Sequence, residues 1–578
     1  MRKMGIIAVK QKSRKKIKTG KKKKIINKRA NQRTLAGLMM DYPLTLPAIL
    51  RRAELLYGNK EIVSRLPDKR FHRYTYTDFV RRAQRLALAL RRLGIKPGER
   101  VATLCWNHHQ HLEAYFGIPA LGAVLHTLNP RLHADDLIFI INHAGDKAIL
   151  LDRVFLPLFE KLHPKIKSRH VILISEEGSP PAGMLDYEAL LANVDENDFS
   201  YPNLDERQAA AMCYTSGTTG QPKGVLYSHR AIVLHSFVAA MVDTLGLRES
   251  DVILPVVPMF HVNAWGLPFT ATLIGAKQVF PGPHLDPTSL LEAYQAERVT
   301  MTAGVPTIWF GLLQALDKNP GAYDLSSLRL LLVGGAAAPK ALIQGFAERH
   351  RLNVVHAWGM TETCPLGTVA VLPGDLRQAP ADVQYAYRAK QGPPAAFIEI
   401  RARGDHGLVP WDGKTMGELE VRGPWVASAY YDSPEGKDRF TKDGWFRTGD
   451  IVTINERGWM EIQDRSKDLI KSGGEWISSL ALESFLMGHP AVAEAAVIAI
   501  PHAKWQERPL AVVVLKKGQT TSAEELMAYL EPHFAKWWLP DAIEFVEQIP
   551  RTAVGKFLKS ALRQRFRDYV LPVIADRG

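Results

Sequence analysis

The chain has 578 residues, a formal net charge of +15, 46% hydrophobic residues and 23% charged residues. This length allows more than one domain and several buried cores, and the composition is that of an ordinary soluble protein. No uninterrupted apolar span reaches about 20 residues, which excludes an evident transmembrane helix; the best candidate, residues 114–128, is short and contains Pro119 and His126.

The charge is unevenly placed. Residues 1–33 hold 15 of the 74 Lys and Arg and no Asp or Glu, which leaves 59 basic against 59 acidic residues in the body. A global nucleic-acid or membrane field is therefore not implied. We expect residues 1–38 to be a basic disordered tail or a mis-assigned start, with Met39 or Met40 as the true beginning. Such a tail could touch nucleic acid or anionic lipid. It lacks the long apolar core of a secretory signal. Globular sequence begins near Asp41-Tyr-Pro-Leu-Thr-Leu.

Cys105, Cys213 and Cys364 lie far apart without a Cys-x-x-Cys pair. Neither a zinc cluster nor a disulfide framework is suggested, and a reducing, cytoplasmic setting fits. The cluster His108-His-Gln-His111 has no flanking acidic or cysteine partners, so a structural role is expected for it.

The first chemical signal is Tyr214-Thr-Ser-Gly-Thr-Thr-Gly-Gln-Pro-Lys-Gly-Val225. Its eleven positions from Thr215 to Val225 hold three glycines, four hydroxyl residues and Lys223, after the apolar run 209–213. Glycines free backbone amides, hydroxyls donate hydrogen bonds and a lysine supplies charge, which suits a loop closing on phosphate. No Gly-Lys-Ser/Thr follows, so it is not a Walker loop. A polar surface turn is the alternative. Next, His261, Val262 and Trp265 lie in the apolar segment Val257-Pro-Met-Phe-His-Val-Asn-Ala-Trp-Gly-Leu-Pro268, where core packing competes with a binding role.

Residues 45–460 alternate strand-like and helical runs. Residues 329–333 read as a buried strand, 334–339 as a loop containing Gly335, 340–350 as a helix and 353–356 as the next strand. Such units predict α/β layers with partly parallel sheets, whose ligands sit beyond the carboxyl ends of strands. Trp358-Gly-Met-Thr-Glu-Thr363 leaves such an end. It brings an aromatic that can stack on a purine and a carboxylate that can hold the Mg²⁺ accompanying ATP; a capped helix with a buried Trp is the alternative. In Gly444-Trp-Phe-Arg-Thr-Gly-Asp450 a carboxylate follows a turn and could accept from ribose hydroxyls. After residue 464 the pattern becomes a compact α+β unit of about 110 residues. Strands are expected at 491–500, 510–515 and 542–546, a capping box at Ser522-Ala-Glu-Glu525, and a loop with Lys556 before a basic helix at 558–569.

Taken together and in this order, these motifs resemble the adenylate-forming enzymes: acyl-CoA synthetases, peptide-synthetase adenylation domains and luciferases. The resemblance covers essentially residues 41–570. It implies a large α/β N-terminal domain (39–463) of layered sheets and helices with a β-barrel-like subdomain. A hinge (464–467, with Asp464 as hinge residue) would join it to a small α+β C-terminal domain (468–578). It implies ATP and CoA as co-substrates, Mg²⁺ as cofactor and a homodimer. The location would be cytoplasmic, with peripheral contact at the membrane as a compatible addition.

The resemblance also implies site roles. Thr215, Ser216, Gly217, Thr218, Thr219, Gly220 and Lys223 would grip phosphate. Gly335, His356, Ala357 and Trp358 would frame the adenine; the family has Tyr at Trp358, so stacking survives but a phenol hydrogen bond does not. Thr361 would contact phosphate, and Glu362 with Thr215 would bind the metal. Asp450 and Arg465 would hold ribose, with Lys467 and Lys471 near the nucleotide. Gly473, Gly474 and Trp476 would meet CoA. Lys556 would bridge the substrate carboxylate and the α-phosphate, offsetting the repulsion of two anions. His261 would lie near both acyl carboxylate and nucleotide; it need not be a base, because a carboxylate is already ionised at neutral pH. Trp265 matches the aromatic gate of a bacterial long-chain fatty acyl-CoA synthetase subgroup, and residues 472–478 also resemble the long-chain enzymes. The implied activity is a fatty acid–CoA ligase that forms an acyl-adenylate and then a thioester. Alternatives are a short-chain or methylthiopropionate ligase, a luciferase-like oxygenase, and a noncatalytic nucleotide or nucleic-acid binder working through the tail.

Overall fold

A computed structural model describes residues 37–175, 178–215, 221–472, 475–552 and 557–571. Residues Met1–Pro43 form one unit and Leu44–Gly578 another. Among the described residues, every helix and strand belongs to the second unit. No helix among them is long and apolar enough to cross a membrane.

Short apolar runs form strands buried on both faces, as parallel sheets covered by helices require. Leu330–Val333 is one such strand, fully buried, and Lys340–His350 is the helix that follows. Arg329, expected inside the strand, instead turns to Asp251, with N···O 2.6 Å. The next strand runs Val354–Gly359, longer than expected, and so carries Ala357 and Trp358 within it.

Two sheets dominate. One has eight strands in the order Leu366–Val369, Val354–Gly359, Leu330–Val333, Met301–Gly304, Val252–Pro255, Lys277–Phe280, Glu61–Arg65, Phe71–Thr75. The other has seven, in the order Leu185–Asp186, His170–Ile174, Ala148–Asp152, Arg100–Leu104, Val124–Thr127, Ala209–Tyr214, Gly224–Ser228. In each, all but the edge pairings at Phe71–Thr75, Leu366–Val369 and Gly224–Ser228 are parallel. Helix His109–Ala120 is buried along its whole length and touches strands of both sheets, as an all-round buried helix between layers should. A third, antiparallel sheet stands where the barrel-like subdomain was expected. Its five strands run Gly407–Leu408, Glu399–Gly404, Gly417–Arg422, Phe446–Ile454, Met460–Arg465.

The last of these strands ends the large domain. Asp464 pairs with Ile451 and Arg465 with Asp450. The chain then turns, with Asp468 and Leu469 donating to the Arg465 carbonyl, and begins the small domain's sheet at Ile470–Ser472. Asp464 is thus a paired strand residue, and its carboxylate accepts from the Ser479 amide (2.7 Å) and hydroxyl (2.5 Å).

The small domain is built on the hairpin Val492–His502 and Gln506–Leu515. Alternate residues serve opposite faces, as the two-residue strand period dictates. Ala495, Val497, Ala511 and Val513 pack under helix Ser479–Leu486, whereas Ala496, Ile498, Leu510 and Val512 face helix Lys559–Arg565. The Ser522 capping box forms, with Glu525 as its partner. The final helix is shorter than expected, and the strand at Ala542–Phe545 pairs parallel to the hairpin.

Candidate active site

The strand ends predicted to hold ligand meet at one cavity of about 590 Å³. Thr215 follows strand Ala209–Tyr214, Gly334 and Gly335 follow Leu330–Val333, and Ala357 through Glu362 come from the end of Val354–Gly359. The antiparallel sheet adds Gly449 and Arg465, the turn after it adds Ser466, Lys467 and Asp468, and the small domain adds Thr552 and Phe557.

The glycine loop is clasped at its ends. The Thr215 amide donates to the Lys223 carbonyl (2.9 Å), and the Lys223 amide donates to the Thr215 hydroxyl (3.2 Å). Ser216, Gly217, Thr218, Thr219 and Gly220 lie outside the described residues. The Lys223 ammonium stands 5.2 Å from the centre of the Tyr430 ring. The Tyr430 hydroxyl donates to Glu362 Oε1 at 2.6 Å. Burial, together with the negative charge of Glu362, raises the phenol pKa well above its ordinary value. The neighbouring Thr361 carbonyl accepts from the Tyr227 hydroxyl at 2.6 Å. These tyrosines fix the backbone and carboxylate of the Thr361-Glu362 turn; Tyr227 follows the glycine loop closely in sequence, whereas Tyr430 stands in no motif that composition marks. The pair Tyr430-Tyr431 after Ala-Ser-Ala is the sole sequence signal. The Tyr431 amide donates to the Gly224 carbonyl (2.8 Å), which stitches this segment to the glycine loop.

At the other wall, the Trp358 indole N–H donates to Asp450 Oδ2 (3.0 Å), and Arg465 Nε meets Asp450 Oδ1 (2.7 Å). Asp450 is 1% exposed and is not itself among the residues lining the cavity, although Trp358 and Arg465, which bond its carboxylate, are. Lys467 lines the cavity; burial lowers its pKa, with Arg465, Arg563 and Lys559 adding to the effect against Asp468. Arg439 also reaches the cavity, its guanidinium packed on Gly449. The site therefore places Lys223, Arg439, Arg465 and Lys467 around a space large enough for a polyphosphate, with Glu362 among them.

Much of the remaining lining is apolar. Ala239, Leu245, Leu332, Pro365 and Leu366 contribute to it, together with His235, His261, Val262 and Trp265. Residues Val262, Asn263, Ala264 and Trp265 all have positive φ, 45° to 57°, before Gly266 at 73°. A left-handed turn costs roughly 1–2 kcal/mol per L-residue, so packing must hold it. It lays the Trp265 ring on the Gly334-Gly335 backbone; a Cβ on Gly334 would come 3.1 Å from the indole.

Two site expectations do not match the geometry, and one cluster read as lacking partners gains them. The His356 side chain is buried away from the cavity: its Nδ1–H donates to the Ala389 carbonyl (2.9 Å), supplied by helix Ala381–Ala389, and burial lowers its pKa to about 4. Lys471 and Trp476 are not at the cavity wall; they face each other across the hairpin Ile470–Ser472 and Glu475–Ile477, the ammonium 4.7 Å from the ring centre. The His108 cluster does acquire partners, because the ends of adjacent strands bring Cys105 and Asp152 to it. Each polar group there is satisfied internally. His108 Nε2 bonds Asp152 Oδ1 (2.8 Å), the Trp106 amide donates to Asp152 Oδ2 (2.7 Å), and the His111 amide donates to His108 Nδ1 (3.2 Å). It is a structural junction. Lys556, Gly473 and Gly474 lie outside the described residues, although Thr552 and Phe557, on either side of Lys556, line the cavity.

Among the described residues, the hard-oxygen donors lining this cavity include the Glu362 carboxylate, the Thr215 and Thr361 hydroxyls, and the carboxylates of Asp438 and Asp468. That set fits Mg²⁺, which keeps several waters and takes one or two carboxylates plus substrate phosphate.

Comparison with known proteins agrees with this geometry. The AMP-binding enzyme family matches residues 50–431, and the AMP-binding enzyme C-terminal domain matches residues 481–556. A long-chain-fatty-acid–CoA ligase from Thermus thermophilus is 51% identical over 535 residues, 92% of this chain and 97% of that protein. A 3-methylmercaptopropionyl-CoA ligase from Ruegeria lacuscaerulensis is 42% identical over 539 residues, 92% of this chain and 99% of that protein. The crystal structure of the anthranilate CoA ligase AuaEII with anthranoyl-AMP superposes with a TM-score of 0.82 at 28% identity, covering 91% of this chain and 98% of that one.

Proposed function

Because the chain belongs to the AMP-binding enzyme family, we propose that it is an ATP-dependent fatty acid–CoA ligase. One observation carries the reading: a single cavity is lined both by the cations Lys223, Arg439, Arg465 and Lys467 with Glu362 and by the apolar Ala239, Leu245, Leu332 and Leu366 with Trp265. In the first step a substrate carboxylate oxygen attacks the ATP α-phosphate and pyrophosphate leaves, giving an acyl-adenylate. In the second the CoA thiol loses its proton and attacks the acyl carbonyl, and AMP leaves. Activation is needed because a bare carboxylate is a poor electrophile.

Lys223 and the loop hydroxyls hold the β- and γ-phosphates. Ala357, Gly335 and Trp358 take the adenine, and Asp450 with Arg465 takes the ribose. Glu362 and Thr215 hold Mg²⁺, which when bound neutralises phosphate charge. Lys556 bridges the carboxylate and the α-phosphate; its described neighbours Thr552 and Phe557 at the cavity support that place. His261, Val262 and Trp265 direct the acyl group. Lys471, Gly473, Gly474 and Trp476 serve the CoA step in a second arrangement of the small domain, which is why Lys471 and Trp476 stand away from the cavity. The pivot is the turn at 466–468, just after the last pairing with the large domain at Arg465.

The acyl group is a medium- or long-chain fatty acid, supported by the apolar residues in the cavity lining and the Thermus relative. The Ruegeria relative favours a second reading, a short sulfur-containing acid. CoA-dependent AMP release across acids from acetate to palmitate, with methylthiopropionate included, separates the two. Preference for acetate, butyrate or methylthiopropionate rejects the fatty-acid assignment. We also propose a cytoplasmic homodimer able to associate peripherally with the membrane, which light scattering and vesicle flotation would test.

A further inference from the structure

In a cavity that binds ATP, one contact has no role yet. Trp358 offers the cavity an aromatic face, and a face alone would suffice for stacking. Yet its indole N–H turns to Asp450 Oδ2 at 3.0 Å, in a place where both residues are buried. The ring is held there by shape. Gly367, on the neighbouring strand, leaves room that a side chain would fill: a Cβ would come 2.3 Å from the indole Cζ3 and 2.4 Å from Cε3. Arg465 secures the other carboxylate oxygen at 2.7 Å, and the Asp450 amide donates to the Thr448 hydroxyl at 3.1 Å. A carboxylate has about four lone-pair sites, so two donors leave acceptor capacity for a vicinal diol.

We propose that Trp358 is a positioning residue for ribose recognition. Its N–H fixes the plane of the Asp450 carboxylate, so selection of the nucleotide sugar depends on a side chain whose ring serves the base. This rests on the reading that the cavity binds ATP. Phenylalanine keeps an aromatic face and loses the donor. Without the N–H one Asp450 oxygen is left buried and the carboxylate free to turn, which costs more than a neutral hydrogen bond because the acceptor is charged.

The test is a cycle of Trp358→Phe, Asp450→Asn and the double variant against ATP, 2′-deoxy-ATP and 3′-deoxy-ATP, reading dissociation constants by calorimetry alongside KM and kcat. The wild type should bind ATP more tightly than either deoxy analogue. Trp358→Phe should weaken ATP about tenfold, the scale of one charge-assisted hydrogen bond, and weaken the deoxy analogues far less. The double variant should be no worse than Asp450→Asn, and the change should fall on KM more than on kcat. Gly367→Ala, which displaces the ring while keeping its N–H, should lose the same discrimination. Equal weakening of ATP and both deoxy analogues, or unchanged discrimination in both Trp358→Phe and Gly367→Ala, overturns the proposal. A wild type that binds no ATP overturns the underlying reading instead, and that arm stands apart from the variants.

Discussion

Tyr430→Phe is the sharpest probe of the metal-binding role proposed for the Thr361-Glu362 turn. The substitution removes one oxygen, the donor 2.6 Å from Glu362 Oε1, and keeps the ring that packs on Phe440 and Phe446 beneath Lys223. Glu362 is buried, so its carboxylate has little water to replace the lost donor. A hydrogen bond to a charged group contributes about 1.5–3 kcal/mol. If that bond orients Glu362 toward Mg²⁺, kcat/KM for ATP should fall roughly 10- to 150-fold, at about 1.4 kcal/mol per factor of ten. The Mg²⁺ concentration for half-maximal rate should rise, and the fatty-acid KM should hold. Initial rates of AMP formation across a Mg²⁺ titration measure both, and thermal unfolding should show an intact fold. A variant within twofold of wild type in both kcat/KM and Mg²⁺ requirement would refute the argument that Tyr430 holds the metal ligand.

Other outcomes rest on the same physics. Lys556→Ala should abolish acyl-adenylate formation yet largely spare thioester formation from supplied acyl-adenylate; equal loss in both half-reactions rejects the assigned role. Glu483→Gln breaks a buried pair with Lys559 (2.6 Å), whose ammonium also donates to Ser479 (2.5 Å). It should cost about 3–5 kcal/mol, with hydrogen exchange rising in the small domain, and a loss under 1 kcal/mol would count against it. Burial depresses the pKa of His229, His235 and His356 to about 4 and that of His111 to about 3. The unfolded chain takes up these protons near pH 6.5, so their stability contribution is full above that pH and is lost as pH falls toward 4. Each contributes about 1.4 kcal/mol per pH unit in that window, opposed by His108, whose pKa is raised on balance: burial lowers it, and Asp152 more than offsets that. The urea midpoint should therefore drop steeply between pH 7 and 5.5; a flat midpoint contradicts it.

The cavity was legible in the sequence wherever a motif follows a strand. Thr215, Gly335, Trp358 and Glu362 meet as the parallel-sheet rule requires, because carboxyl ends of strands from both large sheets open on one cavity. The helix at Lys340–His350 and the Ser522 cap rest on local chemistry and form where expected. What escaped depends on segments distant in sequence. Tyr430 acts on a carboxylate 68 residues earlier. His356 looked like part of the nucleotide wall, but helix Ala381–Ala389 supplies a carbonyl that a buried imidazole needs. The His108 cluster seemed to lack partners because Asp152 arrives from the neighbouring strand, 44 residues away. Strand pairing also explains the boundary. Asp464 lies inside a ladder, which is why the pivot is proposed in the first turn beyond it.

The central claim is that one cavity carries a carboxylate through an adenylate to a CoA thioester. The direct measurement is a single turnover of the full-length protein with ATP and palmitate, quenched and resolved by mass spectrometry, first without CoA and then with it. The account predicts palmitoyl-AMP and pyrophosphate in the first, and palmitoyl-CoA with AMP in the second. ADP and orthophosphate as products, or thioester formed with no adenylate on the path, would contradict it.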